Sequence, residues 1–269
     1  MCGLLMRSGK PLSKIVICGG ILYIPMKTNE NKRRMRKKTL LLIPVFAIAA
    51  LCIAFLIYTE QYYRAEESAL TALKSDESVI VTQKEYGWFF DGPSETDALI
   101  FYPGAKVEET AYAPLLHRLA EQGMDICLVR MPFRLAIFGA NKADQAIAQH
   151  DYEHWYIGGH SLGGAMAASY AATHSSQLSG VFMLAAYPTK PLAENMKALI
   201  IYGSEDGVLN MSKLEETVRY LPDGGEVYVI EGGNHAQFGN YGMQAGDGDA
   251  VISSEEQQRR TAERIFMNK

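Results

Sequence analysis

The chain has 269 residues, of which 48% are hydrophobic and 21% charged, and this leaves room for one large or two small domains. The formal net charge is −4 and the basic residues are scattered except for one run, which argues against a nucleic-acid partner. Four cysteines show no metal-ligand spacing. We therefore expect buried free thiols, without a zinc site or a disulfide framework.

The N-terminal fifth of the chain differs from the rest. A basic run at residues 32–38 precedes residues 39–58, which carry no charged side chain. A helix of this length crosses the roughly 30 Å hydrocarbon core of a bilayer, so residues 39–58 are predicted to form a transmembrane helix. Basic residues before the span and acidic ones after it predict that residues 1–38 are cytoplasmic and that the remainder is extracytoplasmic.

The rival interpretation of this segment is a cleaved signal peptide. The apolar stretch is long for a signal peptide and no clean small-residue cleavage site follows it closely, so an uncleaved signal anchor is favoured. Met26 and Met35 would each begin a conventional leader, which leaves open whether residues 1–25 are translated. Residues 59–77 are predicted to form a helical stalk, and residues 78–269 the soluble domain.

Strand and helix patterns alternate through residues 78–269, and the first two strands are close enough to form a hairpin. This alternation predicts a doubly wound α/β domain with a mostly parallel sheet, whose ligands bind at the carboxyl ends of the strands. The expected strands are residues 78–82, 86–90, 98–102, 124–130, 154–157, 181–186, 198–202 and 226–230, and the expected helices are residues 108–122, 141–149, 165–172, 211–220 and 254–267.

A G-x-S-x-G pattern, Gly159-x-Ser161-x-Gly163, lies between an aromatic, β-branched strand and a helix of small residues. Strand, sharp turn and helix are the context in which this pattern forms a nucleophile elbow. A Gly-rich turn of another α/β protein is the alternative. That alternative predicts no suitably placed aspartate and histidine further along the chain, so the downstream residues discriminate between the two.

A serine nucleophile needs a histidine base, and the base needs an orienting carboxylate. His235 follows the last predicted strand, whereas His174 ends the helix after the elbow, away from the strand ends. Asp206 and Glu205 both follow the strand at residues 198–202; Asp206 is preferred because Glu205 is expected to point into solvent. The order Ser161, Asp206, His235 is that of an α/β-hydrolase triad.

The oxyanion of a tetrahedral intermediate also needs hydrogen-bond donors. One candidate is the backbone N–H of Leu162, at the N-terminus of the helix after the elbow. The other is the backbone N–H of Ala105, in the loop after the strand at residues 98–102, where Gly104 permits close approach. His160 is interpreted as a structural residue beneath the elbow.

From about Ala98 onward the chain resembles the α/β-hydrolases, in particular the single-domain hydrolase-5 group related to dienelactone hydrolases and small carboxylesterases. The resemblance implies Ser161 as nucleophile, Asp206 as acid and His235 as base. Dienelactone hydrolases use cysteine as nucleophile, so their substrate does not follow for this chain. The motifs that carry the resemblance are residues 101–105, 131–133, 159–164, 202–207 and 233–242.

Residues 187–197 are too few for a large cap domain, which predicts an open site and argues against a lipase that needs interfacial opening. Asp247 and Asp249, in a Gly-rich loop, are interpreted as solvated turn residues rather than a calcium site.

Together these features predict a membrane-anchored serine hydrolase of small or medium carboxylic esters, with no cofactor, no metal and no nucleic-acid partner. Acyl transfer to a cell-envelope acceptor and a non-catalytic binding module remain the alternatives. The sequence does not indicate the oligomeric state.

Overall fold

The computed structural model describes residues 12–17, 20–25, 29–93 and 95–269, with side chains from residue 42 onward. The chain divides into two compact units, Met1–Tyr58 and Thr59–Lys269. In the first unit, β1 (Leu12–Ile17) and β2 (Gly20–Pro25) pair antiparallel and α1 (Asn29–Glu60) begins shortly afterwards. Within α1, Leu42–Glu60 has a mean hydropathy of 2.5 and is long enough to span a membrane. The expected apolar helix is therefore present, and it is a candidate membrane anchor.

The second unit contains eight strands and six helices among the described residues. In chain order they are α2 (Glu67–Thr71), β3 (Ile80–Lys84), β4 (Gly87–Asp91), β5 (Asp97–Tyr102), α3 (Ala113–Glu121), β6 (Asp125–Val129), α4 (Ala143–Ile147), β7 (His154–His160), α5 (Leu162–Ala171), β8 (Gly180–Leu184), β9 (Lys197–Gly203), α6 (Met211–Thr217), β10 (Glu226–Ile230) and α7 (Ser254–Asn268).

The eight strands form one sheet in the order β10-β9-β8-β7-β5-β6-β4-β3. Six strands, β10 to β6 in that order, are parallel, and the β3–β4 hairpin extends the sheet antiparallel. The chain runs from β5 to β6 on one side and then returns to β7 on the other side of β5. This reversal creates a crevice at the carboxyl ends of β5 and β7, the place where open α/β sheets bind ligands. The predicted doubly wound, mostly parallel α/β fold is confirmed.

Both faces of the sheet are covered, because successive side chains of a strand point to opposite faces. On β5, Leu99 and Phe101 pack with residues of α3 and α7, whereas Ala98, Ile100 and Tyr102 pack with residues of α4, α5 and α6. Residues 185–196, which connect β8 to β9, contain no helix. No helical cap therefore covers the carboxyl ends of the strands at this connection, as the sequence predicts.

Residues 59–77, expected to form a helical stalk, belong to the same compact unit as the eight-stranded sheet. After the last residues of α1, Thr59 and Glu60, only Glu67–Thr71 is helical within this segment. Tyr63 forms a parallel bridge with Val107, in which the Tyr63 N–H donates to the Lys106 carbonyl at 2.8 Å. The structure thus differs from the expectation, because backbone hydrogen bonds of Tyr63 are satisfied by the domain rather than within a helix.

The expectation of buried free thiols is confirmed for one cysteine and wrong for another. Cys127 is buried and forms no disulfide, and burial raises the pKa of its thiol to about 12. Cys52 is free but exposed on the apolar helix α1. Cys2 and Cys18 lie outside the described residues.

Candidate active site

Ser161 occupies the turn between β7 and α5 with backbone angles φ 52° and ψ −124°. This conformation is sparsely populated by residues with a Cβ and costs about 1–3 kcal/mol. It is held by the Ser161 N–H, which donates to the Leu184 carbonyl at 2.8 Å. A Cβ at Gly163 would collide with the carbonyl oxygens of Tyr102 and Pro103, so the close approach of α5 to the end of β5 requires glycine there. The serine is therefore presented in a strained strand-to-helix turn.

Asp206 and His235 meet at the carboxyl ends of β9 and β10. His235 Nδ1 lies 2.9 Å from Asp206 Oδ2 and 3.1 Å from Oδ1, and each side chain is only 1% exposed. Asp206 Oδ1 also accepts the backbone N–H groups of Val208 at 2.9 Å and Leu209 at 2.8 Å. A carboxylate that only accepts requires the imidazole proton on Nδ1, which leaves the Nε2 lone pair free to act as a base.

Glu205, the alternative carboxylate, does not contact His235. Its carboxylate accepts the Ser204 hydroxyl at 2.9 Å, and the residue is exposed. His174, the alternative histidine, stacks on Tyr170 at the end of α5, with ring centroids 4.0 Å apart. The sequence offered two carboxylates and two histidines, and the structure brings together Asp206 and His235.

Ser161 and His235 line one cavity of about 330 Å³ together with Leu162, Val208 and Leu209. His235 Nε2 is buried and has no hydrogen-bond partner among the described residues. The structure thus places serine and histidine at one cavity without the hydrogen bond between them. Such bonds are often long in the absence of substrate and tighten in the reactive complex.

A larger cavity, of about 560 Å³, lies at the amino ends of the parallel strands, beside Asp97, His154 and Lys197. Its lining includes neither Ser161 nor His235. Because the strained Ser161 and the Asp206-bound His235 line the smaller cavity, that cavity is the candidate active site.

Behind the serine, Tyr112 connects His160 to the loop that follows β5. The Gly104 N–H donates to the Tyr112 hydroxyl at 3.0 Å, and that hydroxyl lies 2.8 Å from His160 Nδ1. A Cβ on Gly104 would lie 2.8 Å from both partner atoms, so only glycine fits. This chain of contacts positions the residue before Ala105. Leu162 is the first residue of α5, at its positive dipole end. The oxyanion roles of Ala105 and Leu162 stay predictions.

His160 is a buried neighbour of His235. Its ring centroid lies 4.5 Å from that of His235. Burial holds the pKa of His160 well below its usual range, and the electrostatic interaction with the His235 ring acts in the same direction. His160 is therefore neutral at pH 7 and adds no positive charge beside His235. The sequence interpretation of His160 as a structural residue agrees with this position.

Asp247, which the sequence suggested was a solvated turn residue, has a different place in the structure. Its carboxylate accepts the backbone N–H groups of His235 at 3.1 Å, Ala236 at 2.8 Å, Gly207 at 3.2 Å and Gly248 at 2.9 Å. One side chain thus ties the loop that carries Asp206 to the loop that carries His235. The only sequence signal for this role is an aspartate in the Gly-rich loop shortly after His235.

Among the described residues, one group has donor atoms close enough together for a metal ion: Asp76, His117 and Glu121. His117 Nε2 lies 3.3 Å from Asp76, and His117 Nδ1 lies 3.5 Å from Glu121. A single ion binds one nitrogen of an imidazole, whereas here each nitrogen faces a different carboxylate. We interpret this group as a bridged set of polar contacts on the surface of α3.

Comparison with known proteins supports the fold independently. Solved structures of similar fold include a CIB-like hydrolase from Thermoplasma acidophilum (TM-score 0.52, 13% identity, 70% of this chain and 99% of that one). Carboxylesterase CesB from Bacillus subtilis (0.51, 10%, 80% and 98%) and a membrane phospholipase A described as a bacterial virulence factor (0.52, 14%, 87% and 100%) are also similar. Identities this low establish the fold alone.

The comparison with curated proteins found no match. The model of one family, described as the alpha/beta hydrolase family, matches residues 98–259. That match covers more than half of the 269 residues and contains Ser161, Asp206 and His235. The chain therefore belongs to the alpha/beta hydrolase family.

Proposed function

We propose that this hydrolase cleaves carboxylic esters through a serine nucleophile, with Ser161, His235 and Asp206 as its catalytic triad. The observation that carries the proposal is the buried 2.9 Å contact between His235 Nδ1 and Asp206, at the same cavity as the strained Ser161. A histidine oriented by a carboxylate beside a serine is the arrangement that activates a hydroxyl for acyl transfer.

In this mechanism, Ser161 Oγ attacks the ester carbonyl while its proton moves to His235 Nε2. Asp206 holds the imidazole in the required tautomer and stabilises the imidazolium. The N–H groups of Leu162 and Ala105 would donate to the oxyanion of the tetrahedral intermediate. His235 then protonates the leaving alcohol, and a water molecule, deprotonated by His235, hydrolyses the acyl-enzyme. The net reaction converts an ester and a water molecule into a carboxylic acid and an alcohol.

The size of the site favours small or medium substrates. The cavity holds about 330 Å³, and its lining residues include Ala165, Ala185, Ala186 and Leu209. Small apolar side chains of this kind suit an acyl chain, because apolar groups gain free energy on leaving water. The uncapped connection between β8 and β9 leaves the serine open to solvent.

The candidate span Leu42–Glu60 supports attachment to a membrane. The basic run at residues 32–38 favours a cytoplasmic N-terminus, with the hydrolase domain on the other side. Protease treatment of intact cells tests this orientation. Digestion of the domain agrees with it, whereas protection of the domain in intact cells, with digestion after lysis, contradicts it.

Fluorophosphonate labelling tests the serine mechanism. We expect the parent protein to be labelled and to hydrolyse p-nitrophenyl esters, and we expect Ser161→Ala to lose both properties. Ser169→Ala, on the same helix α5, is the matched control and should retain both. An unlabelled parent protein, or equal labelling of Ser161→Ala, would sink the serine mechanism.

A further inference from the structure

The segment that follows the candidate span packs on the loops of the active site. Tyr63 bridges Val107, and the Glu108 N–H donates to the Tyr63 carbonyl at 2.9 Å. Val107 lies only five residues beyond the end of β5, in the loop that also contains Ala105. The segment thus lies at the carboxyl edge, by which we mean the edge formed by the carboxyl ends of the six parallel strands.

The same segment also contacts the loop that follows His235. The Glu66 N–H donates to the Asn240 carbonyl at 2.9 Å, and the Ala245 N–H donates to the Tyr63 hydroxyl at 3.2 Å. The rings of Tyr63 and Tyr241 lie 5.6 Å apart. Contacts on two site loops fix the segment on the carboxyl edge, rather than leaving it as a tether.

Chain length then limits how far the carboxyl edge can lie from the end of the span. The span ends at Glu60, and Tyr63 follows three residues later. Three residues reach at most about 10 Å when fully extended. Neighbouring strands lie about 4.8 Å apart, so β7 and its serine are a short step from β5. A bilayer around the span would place its surface near the active site.

An exposed apolar patch lies on this edge. It consists of Phe133, Ile137 and Phe138, in the loop after β6, with 46%, 52% and 51% of each residue exposed. Phe133 and Arg134 have φ angles of 54° and 56°, a left-handed backbone that is unfavourable for residues with a Cβ. The chain therefore accepts backbone strain in the loop that exposes these side chains.

Arg134, in the same loop as the apolar patch, contacts residues at the end of the span. Its guanidinium lies 3.4 Å from the centre of the Tyr62 ring and 3.8 Å from the Glu60 carboxylate. The guanidinium of Arg64 lies 4.7 Å from the same ring. Tyrosine and arginine beside exposed apolar side chains are the composition that proteins present at the headgroup level of a bilayer.

We propose that the carboxyl edge faces the bilayer surface, with the apolar patch inserted at headgroup depth, and that the substrates are ester-bearing lipids that enter the site from the bilayer. This inference rests on the proposed ester hydrolysis and on the membrane span. It names the source of the substrate: an amphiphile whose ester lies at the interface. A bilayer against the edge would shield the uncapped site that the fold leaves open.

The first test compares two esters with the same acyl chain, one embedded in phosphatidylcholine vesicles and one soluble in water. The full-length parent protein and the triple variant Phe133→Ser, Ile137→Ser, Phe138→Ser are each reconstituted into these vesicles. For each protein we measure the hydrolysis rate of the embedded ester divided by that of the soluble ester. We expect this ratio to be at least about fivefold lower in the triple variant, because interfacial binding scales with buried apolar area. The matched control replaces Ile80, Val227 and Phe266, which are exposed on β3, β10 and α7, by serine, and its ratio should not change.

The second test measures how deeply the apolar patch inserts into the bilayer, and it does not depend on catalytic activity. An environment-sensitive fluorophore on Ile137→Cys should be quenched by spin-labelled lipid in proteoliposomes, and the same fluorophore on Ile80→Cys should not. The parent protein, labelled in parallel, corrects for its own cysteines. Equal quenching at the two positions overturns the orientation.

The kinetic outcomes separate the two proposals. A parent protein that cleaves the soluble ester but not the vesicle ester overturns the lipid substrate and leaves ester hydrolysis standing. A parent protein that cleaves neither ester contradicts the ester hydrolysis on which the lipid substrate rests, and so overturns both. An unchanged rate ratio in the triple variant overturns the role of the apolar patch.

Discussion

At the scale of single residues, two adjacent carboxylates have different roles because their backbone environments differ. Asp206 accepts two backbone N–H groups in addition to His235 Nδ1 and is 1% exposed at its side chain. Glu205 points away and accepts only the neighbouring Ser204 hydroxyl among the described contacts. The two N–H donors fix the Asp206 carboxylate, so its orientation toward His235 is established before substrate binds.

Asp206→Asn tests this orientation. The amide can donate to His235 Nδ1, which favours the wrong tautomer, and we expect kcat/KM on a p-nitrophenyl ester to fall about a thousandfold or more. Glu205→Gln is the matched control and should keep kcat/KM within about twofold, as expected for an exposed side chain outside the site. A similar loss in both variants would contradict the assignment of Asp206.

At the scale of secondary-structure elements, the site depends on loops that β9 and β10 present side by side. Parallel strands bring their carboxyl ends to one edge, but they do not fix the loops that follow. Asp247 supplies that constraint through its hydrogen bonds to Gly207, His235 and Ala236. A carboxylate bound by several backbone donors acts as a fixed connection between the two loops.

Asp247→Asn should loosen this connection. The amide would face one backbone N–H with a donor, leaving a group unsatisfied, and we expect the free energy of unfolding to fall by about 1–3 kcal/mol. We also expect kcat to fall about tenfold or more with little change in KM, since positioning errors of this kind act on the reacting groups. Asp249→Asn, an exposed neighbour, serves as control. Steady-state kinetics and chemical denaturation measure both effects, and unchanged kcat in Asp247→Asn would refute the positioning role.

At the scale of the whole molecule, Asp125 makes stability depend on pH. It begins β6, where its carboxylate accepts the Gly92 N–H at 2.8 Å and the Tyr152 hydroxyl. Burial raises the pKa of Asp125 to about 6, although both hydrogen bonds oppose the shift. The pKa in the unfolded chain is about 3.9. Between these values the folded state holds more protons, so the free energy of unfolding contributed by Asp125 falls as pH rises.

Asp125→Asn should remove this contribution. The stability of the variant relative to the parent protein should rise by up to about 1.4 kcal/mol per pH unit between pH 4 and 6 and level off above that window. Urea denaturation across this range measures the difference, with Asp223→Asn, an exposed aspartate in the turn before β10, as control. A constant difference from pH 4 to pH 7 would show that Asp125 does not titrate in this window.

The sequence by itself determined those features of the protein that depend on local residue patterns and on spacing along the chain. The G-x-S-x-G pattern between strand and helix, the chain order of Ser161, Asp206 and His235, and the apolar span are properties of neighbouring residues or of spacing. They predicted the α/β-hydrolase fold and the candidate triad, because periodicity and turn residues determine local structure.

Only the tertiary structure decided contacts between distant segments. His235 meets Asp206 across 29 residues, and Asn240 meets Ser68 across 172. The choice of Asp206 over Glu205, the connection made by Asp247 and the packing of residues 59–66 on the site loops depend on loop backbone geometry. Sequence patterning does not encode that geometry, because these loops have no periodicity and their hydrogen-bond partners are far away in the chain.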